Sequence, residues 1–75
     1  KRTMTVAPDM PAVQFYTANG MGKTIGKNGS IYFDHGGFCL ETQFFPDSPN
    51  KPNFPNCILK SGQRFSSTTI YGFKW

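Results

Sequence analysis

The stretch Phe38-Cys39-Leu40-Glu41-Thr42-Gln43-Phe44-Phe45 decides the fold class of this chain. Side chains alternate across a strand, so Phe38, Leu40, Thr42 and Phe44 share one face and Cys39, Glu41, Gln43 and Phe45 the other. The first face is mostly apolar and is expected to lie on a core. The second sets a carboxylate beside an amide and suits the wet floor of a cleft. An ionised carboxylate avoids apolar surroundings, because taking the charge out of water is expensive unless it is paired. Glu41 is therefore either part of an ordinary solvated sheet face or a group with chemistry to perform.

The rest of the chain repeats the strand signature. Short runs rich in Val, Ile, Thr, Phe and Tyr sit between glycine, proline and asparagine breaks. They predict strands at 1–6, 13–17, 30–33, 37–45, 57–59 and 65–75. No stretch carries the spacing of an amphipathic helix. The expected fold class is all-β and antiparallel. Pro8-Asp9 and Met10-Pro11 force extended or turn geometry between the first two strands. Asn28-Gly29 suits a tight hairpin, and Lys60-Ser61-Gly62-Gln63 reads as a turn feeding the last strand.

Bulk properties narrow the function classes. Seventy-five residues make one domain at most, or a piece of one, and bury a marginal core. The chain starts at Lys1 rather than at a methionine, which leaves processing or further polypeptide upstream open. The net charge is +4, yet Lys1, Arg2, Lys23, Lys27, Lys51, Lys60, Arg64 and Lys74 are scattered and form no phosphate track. Cys39 and Cys57 are either one disulfide or two reduced thiols. With one histidine and no Cys-x-x-Cys, soft ligands are too few for a tetrahedral zinc site. No apolar run is long enough to span a bilayer as a helix.

Three further motifs are weaker. Gly20-Met21-Gly22-Lys23-Thr24 looks like the end of a phosphate-binding loop, but Thr17 stands where that loop needs its first glycine. Pro46, Pro49, Pro52 and Pro55 recur every third residue, as on one face of a polyproline II helix. The interspersed Asp47, Asn50, Asn53 and Asn56 favour a stiff surface loop instead. His35 precedes Gly36-Gly37 and reads as a turn residue. No nucleophile–histidine–acid set accompanies it, which argues against covalent acyl transfer.

Two segments are specific when taken together. QFYTANG begins at Gln14, and GGFCLETQFFPDSPNKPNFP runs from Gly36 to Pro55. The second closely resembles the carboxyl-terminal signature of the aldose 1-epimerases, the galactose mutarotases. The ending SGQRFSSTTIYGFKW also resembles that family's last turn and strand, so the likeness runs from about Pro11 to Trp75. The resemblance implies a β-supersandwich with a sugar cleft on one sheet, of which residues 1–75 would be a carboxyl-terminal segment and not a complete domain. It implies interconversion of the α and β anomers of free hexoses such as galactose and glucose. It also implies no metal or organic cofactor, a cytoplasmic setting, and no nucleic-acid or membrane partner. The glutamate of the LETQ motif is the family's general base, which falls on Glu41; the glutamine opening QFYT binds sugar, which falls on Gln14. The family's general acid is a histidine well upstream. His35 is not in that motif, so the upstream part of the same enzyme is an expected partner.

The chemistry agrees with the residue types. A carboxylate can take the anomeric proton and return it, and a glutamine amide offers both a donor and an acceptor to sugar hydroxyls. Phe15, Tyr16 and Phe45 are candidates to shape the cleft. Two other readings compete. One is a non-catalytic carbohydrate-binding β-module. The other is a basic aromatic module that stacks single-stranded nucleic acid, for which steeply salt-dependent binding is the signature.

Overall fold

The computed structural model describes residues 1–75. Six strands follow in order: β1 (Thr3–Pro8), β2 (Ala12–Tyr16), β3 (Thr24–Ile25), β4 (Ile31–Tyr32), β5 (Cys39–Gln43) and β6 (Thr69–Lys74). Single 3-10 turns occupy Lys27–Gly29 and Ser48–Asn50. The strands form three antiparallel pairs, β1 with β6, β2 with β5, and β3 with β4. The chain is all-β and antiparallel, as the alternation and the breaks require.

The β1–β6 ladder brings the two ends of the chain together, from Thr3 opposite Lys74 to Pro8 opposite Thr69. Its inner end is closed by Asp9. The Asp9 backbone N–H donates to the Thr68 carbonyl at 3.1 Å, and the Asp9 carboxylate accepts the Thr68 N–H at 3.0 and 3.1 Å. A carboxylate here takes over the pairing that a strand would otherwise offer, just where Pro11 prevents the ladder from continuing. The β2–β5 ladder lies beside this one. The Thr42 and Thr69 hydroxyls share a hydrogen bond at 3.2 Å between the two ladders.

The β3–β4 hairpin is built on the Asn28-Gly29 turn. Both residues have positive φ, 56° and 76°, which asparagine and glycine tolerate best. The Gly26 N–H closes the loop on the Ser30 carbonyl at 2.6 Å. Tyr32 folds its ring over Gly26, where no side chain could stand, and its hydroxyl accepts the Lys27 N–H at 3.1 Å. β3 has only two residues and was not expected. Its signal was the pair of short β-branched runs on either side of that turn.

Three expectations need correction. Residues 57–59 form no strand and are irregular; the Asn56 side chain, not a neighbouring strand, accepts the Ile58 N–H at 2.9 Å. The last strand starts at Thr69 rather than at 65. Phe38 does not lie on a core and is 59 % exposed. The proline-rich segment is a loop of successive turns, with Asp47 at φ 64° and the Phe54 N–H on the Lys51 carbonyl at 3.0 Å, not a polyproline helix. The Lys60–Gln63 turn is present, closed by the Gln63 N–H on the Lys60 carbonyl at 3.0 Å with Gly62 at φ 84°. Both cysteines are free thiols.

The molecule has almost no interior. Ala18 and Ser48 are its only buried residues, and Ile25, Phe73 and Trp75 stand in solvent. Its radius of gyration is 16.7 Å, against about 11 Å for a compact domain of this length. Its accessible surface is 6524 Å², whereas a compact protein of this mass exposes about 4,600 Å². Three two-stranded ladders lack the facing layer that a strand face needs to become a core.

Candidate functional site

Register decides the site. In the β2–β5 ladder Gln14 is the direct partner of Glu41. Directly opposed residues project to the same face with Cβ atoms about 4.5–5.5 Å apart. A one-residue slip would have sent the two side chains to opposite faces. The pairing is held by the apolar face behind it, where Val13 pairs with Thr42 and Phe15 with Leu40. There Phe15 also meets the edge of Phe38, with ring centroids 6.2 Å apart.

The neighbouring pairs give the site its shape. On one side Ala12 pairs with Gln43, and on the other Tyr16 pairs with Cys39. Each pair sets a long side chain against a short one, so the floor beside Gln14 and Glu41 stays open. Glu41 is exposed, and its carboxylate accepts no hydrogen bond from the chain. The one ion pair, Lys51 with Asp47 at 3.6 Å, lies in the proline-rich loop. Gln14 is also exposed. Its amide nitrogen makes only a long contact, 3.5 Å, to the Phe15 carbonyl. A carboxylate and an amide therefore stand side by side with their hydrogen-bonding capacity unspent.

Of the three aromatic candidates only Tyr16 lies on this face. Phe15 points to the other side of the sheet, and Phe45 lies beyond β5 against Phe54, with centroids 5.1 Å apart. Beyond Tyr16 the chain turns into an apolar groove bordered by Met21, Ile31, Tyr32 and Phe33. Ala12 carried no signal in the sequence, since a short residue matters only once its opposite number is known.

His35 has a different task. Its Nδ1 lies 2.9 Å from the Thr17 carbonyl, and its backbone N–H donates to the Ala18 carbonyl at 3.1 Å. The residue sits at φ 61° and pins the end of β2 to the loop before β5. It shares no hydrogen bond with Glu41 or Gln14. No group of three or more His, Cys, Asp or Glu side chains is gathered within reach of a common ion, and no helix is long and apolar enough to cross a membrane.

A family model described as aldose 1-epimerase matches residues 1–72. Human galactose mutarotase is 47% identical over 73 residues, which cover 96% of this chain and 21% of the relative. The aldose 1-epimerase of Escherichia coli K12 is 41% identical over 75 residues, 97% of this chain and 22% of the relative. The chain thus spans about a fifth of the length of these curated relatives. A match over nearly its whole length, to the family model and to these relatives alike, leads to one conclusion: the chain belongs to the aldose 1-epimerase family.

Proposed function

We propose that the protein containing this chain interconverts the α and β anomers of free hexoses such as galactose and glucose, with Glu41 as general base. The observation that carries this reading is the register that sets Gln14 opposite Glu41 on an open face.

The reaction runs without net oxidation or group transfer. Glu41 takes the proton from the anomeric hydroxyl. An acid protonates the ring oxygen as its bond to C1 breaks, leaving the open-chain aldehyde. Rotation about C1–C2 turns the other face of the carbonyl toward the C5 hydroxyl. Ring closure then reverses both proton transfers. Gln14 holds a sugar hydroxyl beside the carboxylate, using its amide as donor and acceptor. Its role is to keep C1 within hydrogen-bond reach of Glu41.

The acid belongs to polypeptide outside these residues. The share of the relatives that the chain covers supports this, and so does a carboxylate standing alone on an open ladder. In the same reading the three ladders are parts of a larger β-sandwich whose remaining strands cover their exposed faces, and residues 1–75 are the carboxyl-terminal segment of a cytoplasmic enzyme.

The test is anomer exchange by the complete protein, followed by polarimetry on freshly dissolved α-galactose and α-glucose. Glu41→Gln is expected to remove exchange while sugar binding survives. Sugar binding without exchange in the unaltered complete protein would instead identify a carbohydrate-binding module.

A further inference from the structure

The geometry points to Asn19 as a site of spontaneous covalent modification, deamidation through a cyclic imide formed with Gly20. The chain contains two Asn-Gly steps, Asn19-Gly20 and Asn28-Gly29. Glycine after asparagine leaves the attacking backbone nitrogen unhindered. The two steps are the same in sequence and opposite in setting.

At the first step both reacting groups are addressed by neighbouring side chains. The Thr17 hydroxyl donates to the Asn19 side-chain carbonyl oxygen at 2.5 Å. A donor at that oxygen polarises the carbonyl and stabilises the negative charge that gathers there when the carbon is attacked. The Gly20 N–H, the group that must lose its proton to attack, is directed at the Tyr16 phenolic oxygen at 3.3 Å. Asn19 and Gly20 are both exposed, so water and solvent base reach them.

At the second step neither arrangement exists. Asn28 is held in the left-handed region at φ 56° and ψ 30°. The Gly29 N–H is engaged with the Gly26 carbonyl at 3.3 Å inside the hairpin turn. No hydroxyl donates to the Asn28 side chain.

The steps balance with water as the sole co-reactant. The Gly20 nitrogen gives up its proton toward Tyr16 and solvent base and forms a bond to Cγ of Asn19. The tetrahedral oxyanion develops on Oδ1, under the Thr17 hydroxyl. The Cγ–Nδ2 bond then breaks and ammonia leaves with a proton from solvent, which closes the five-membered imide. Water opens the imide at either carbonyl, giving aspartate or isoaspartate. One amide becomes one carboxylate, and the net charge falls from +4 to +3. The isoaspartyl product also adds a methylene to the backbone just past Tyr16, at the end of the strand that carries Gln14.

The experiment uses the complete folded protein, incubated in neutral buffer and, in parallel, in concentrated urea. Peptide mass spectrometry follows conversion at Asn19 and Asn28. In buffer Asn19 is expected to convert roughly fivefold faster than Asn28, the effect of one neutral hydrogen bond that tightens as charge develops. In urea the two rates converge. Thr17→Val slows conversion at Asn19 roughly fivefold and Thr17→Ser does not. Equal rates in buffer, a preference that persists in urea, or an Asn19 rate unchanged by Thr17→Val in a folded variant would each overturn the assignment. If Thr17→Val does not fold, the comparison of buffer with urea for the unaltered protein decides.

Discussion

Gln14 and Glu41 face each other across the β2–β5 ladder, one residue from each strand, on a face whose other pairs each contain a short side chain. The amide is therefore neighbour to the carboxylate and not a distant ligand. The two side chains differ in what they can lose. In the proposed reaction, removing the carboxylate removes the proton acceptor, whereas removing the amide removes one hydrogen bond to substrate.

The kinetics of the two variants of the complete enzyme should separate accordingly. Glu41→Gln is expected to lower kcat by about 10²–10⁴, the usual yield of a general base. Gln14→Ala removes a neutral hydrogen bond worth about 0.5–1.5 kcal/mol, so KM should rise roughly three- to tenfold with a smaller change in kcat. Initial rates of anomer exchange over a range of sugar concentrations measure both. A kcat loss for Gln14→Ala as deep as that of Glu41→Gln would make the amide part of the proton transfer.

The isolated 75-residue chain is expected to show no measurable exchange and to associate in solution. Its surface exceeds that of a compact protein of the same mass by about 1,900 Å², and an excess of that size is comparable to a standard protein interface. Open ladder edges add unpaired backbone groups that invite further strands. Sedimentation of the chain over a concentration series, with binding of a hydrophobic dye, reads this out. A monomer with a sharp unfolding transition and no dye binding would contradict it.

Much of this was legible in the sequence, and the reasons are local. Alternation around Glu41 placed β5, and Asn28-Gly29 placed the hairpin, because a strand face and a positive-φ turn are written in neighbouring residues. The opposition of Gln14 to Glu41 was not legible from pattern, since register is a relation between two segments 27 positions apart. The family resemblance supplied both residues as a pair, and the ladder places them side by side. Residues 57–59 misled because a short apolar run says nothing about whether a partner strand is available. Phe15 and Phe45 misled for a related reason: their faces were fixed only when β2 found its partner and β5 ended at Gln43.

Gly72 and Thr5 form a second opposed pair, in the β1–β6 ladder, and predict a change of sign. A Cβ at position 72 would lie 2.5 Å from the Thr5 hydroxyl oxygen and 3.9 Å from its Cβ. Gly72→Ala alone should therefore destabilise the complete protein by about 1 kcal/mol, since the threonine must leave its rotamer. In a Thr5→Ala background the obstacle is gone. There the same substitution should stabilise by about 0.5–1 kcal/mol, because alanine has less backbone entropy to lose than glycine. Denaturant unfolding of the four proteins of the cycle tests it. Additive effects would show that the two positions do not touch.

His35 gives the last prediction. It combines a left-handed backbone, φ 61°, with a side-chain nitrogen 2.9 Å from the Thr17 carbonyl. That carbonyl is an acceptor, so Nδ1 carries the proton and Nε2 faces away from this contact. Asparagine satisfies both demands: it tolerates positive φ, and its side-chain amide is a donor. Valine satisfies neither, since its branched Cβ is strained in that region and it has no donor. His35→Asn should therefore cost the complete protein less than about 1 kcal/mol, and His35→Val about 2–3 kcal/mol. Because His35 shares no hydrogen bond with Gln14 or Glu41, the kcat of the folded His35→Asn enzyme should stay close to that of the unaltered one. Thermal unfolding and exchange rates measured on the same samples separate the two effects. A His35→Asn enzyme that folds normally but loses exchange by a factor like that of Glu41→Gln would give the imidazole a part in the chemistry.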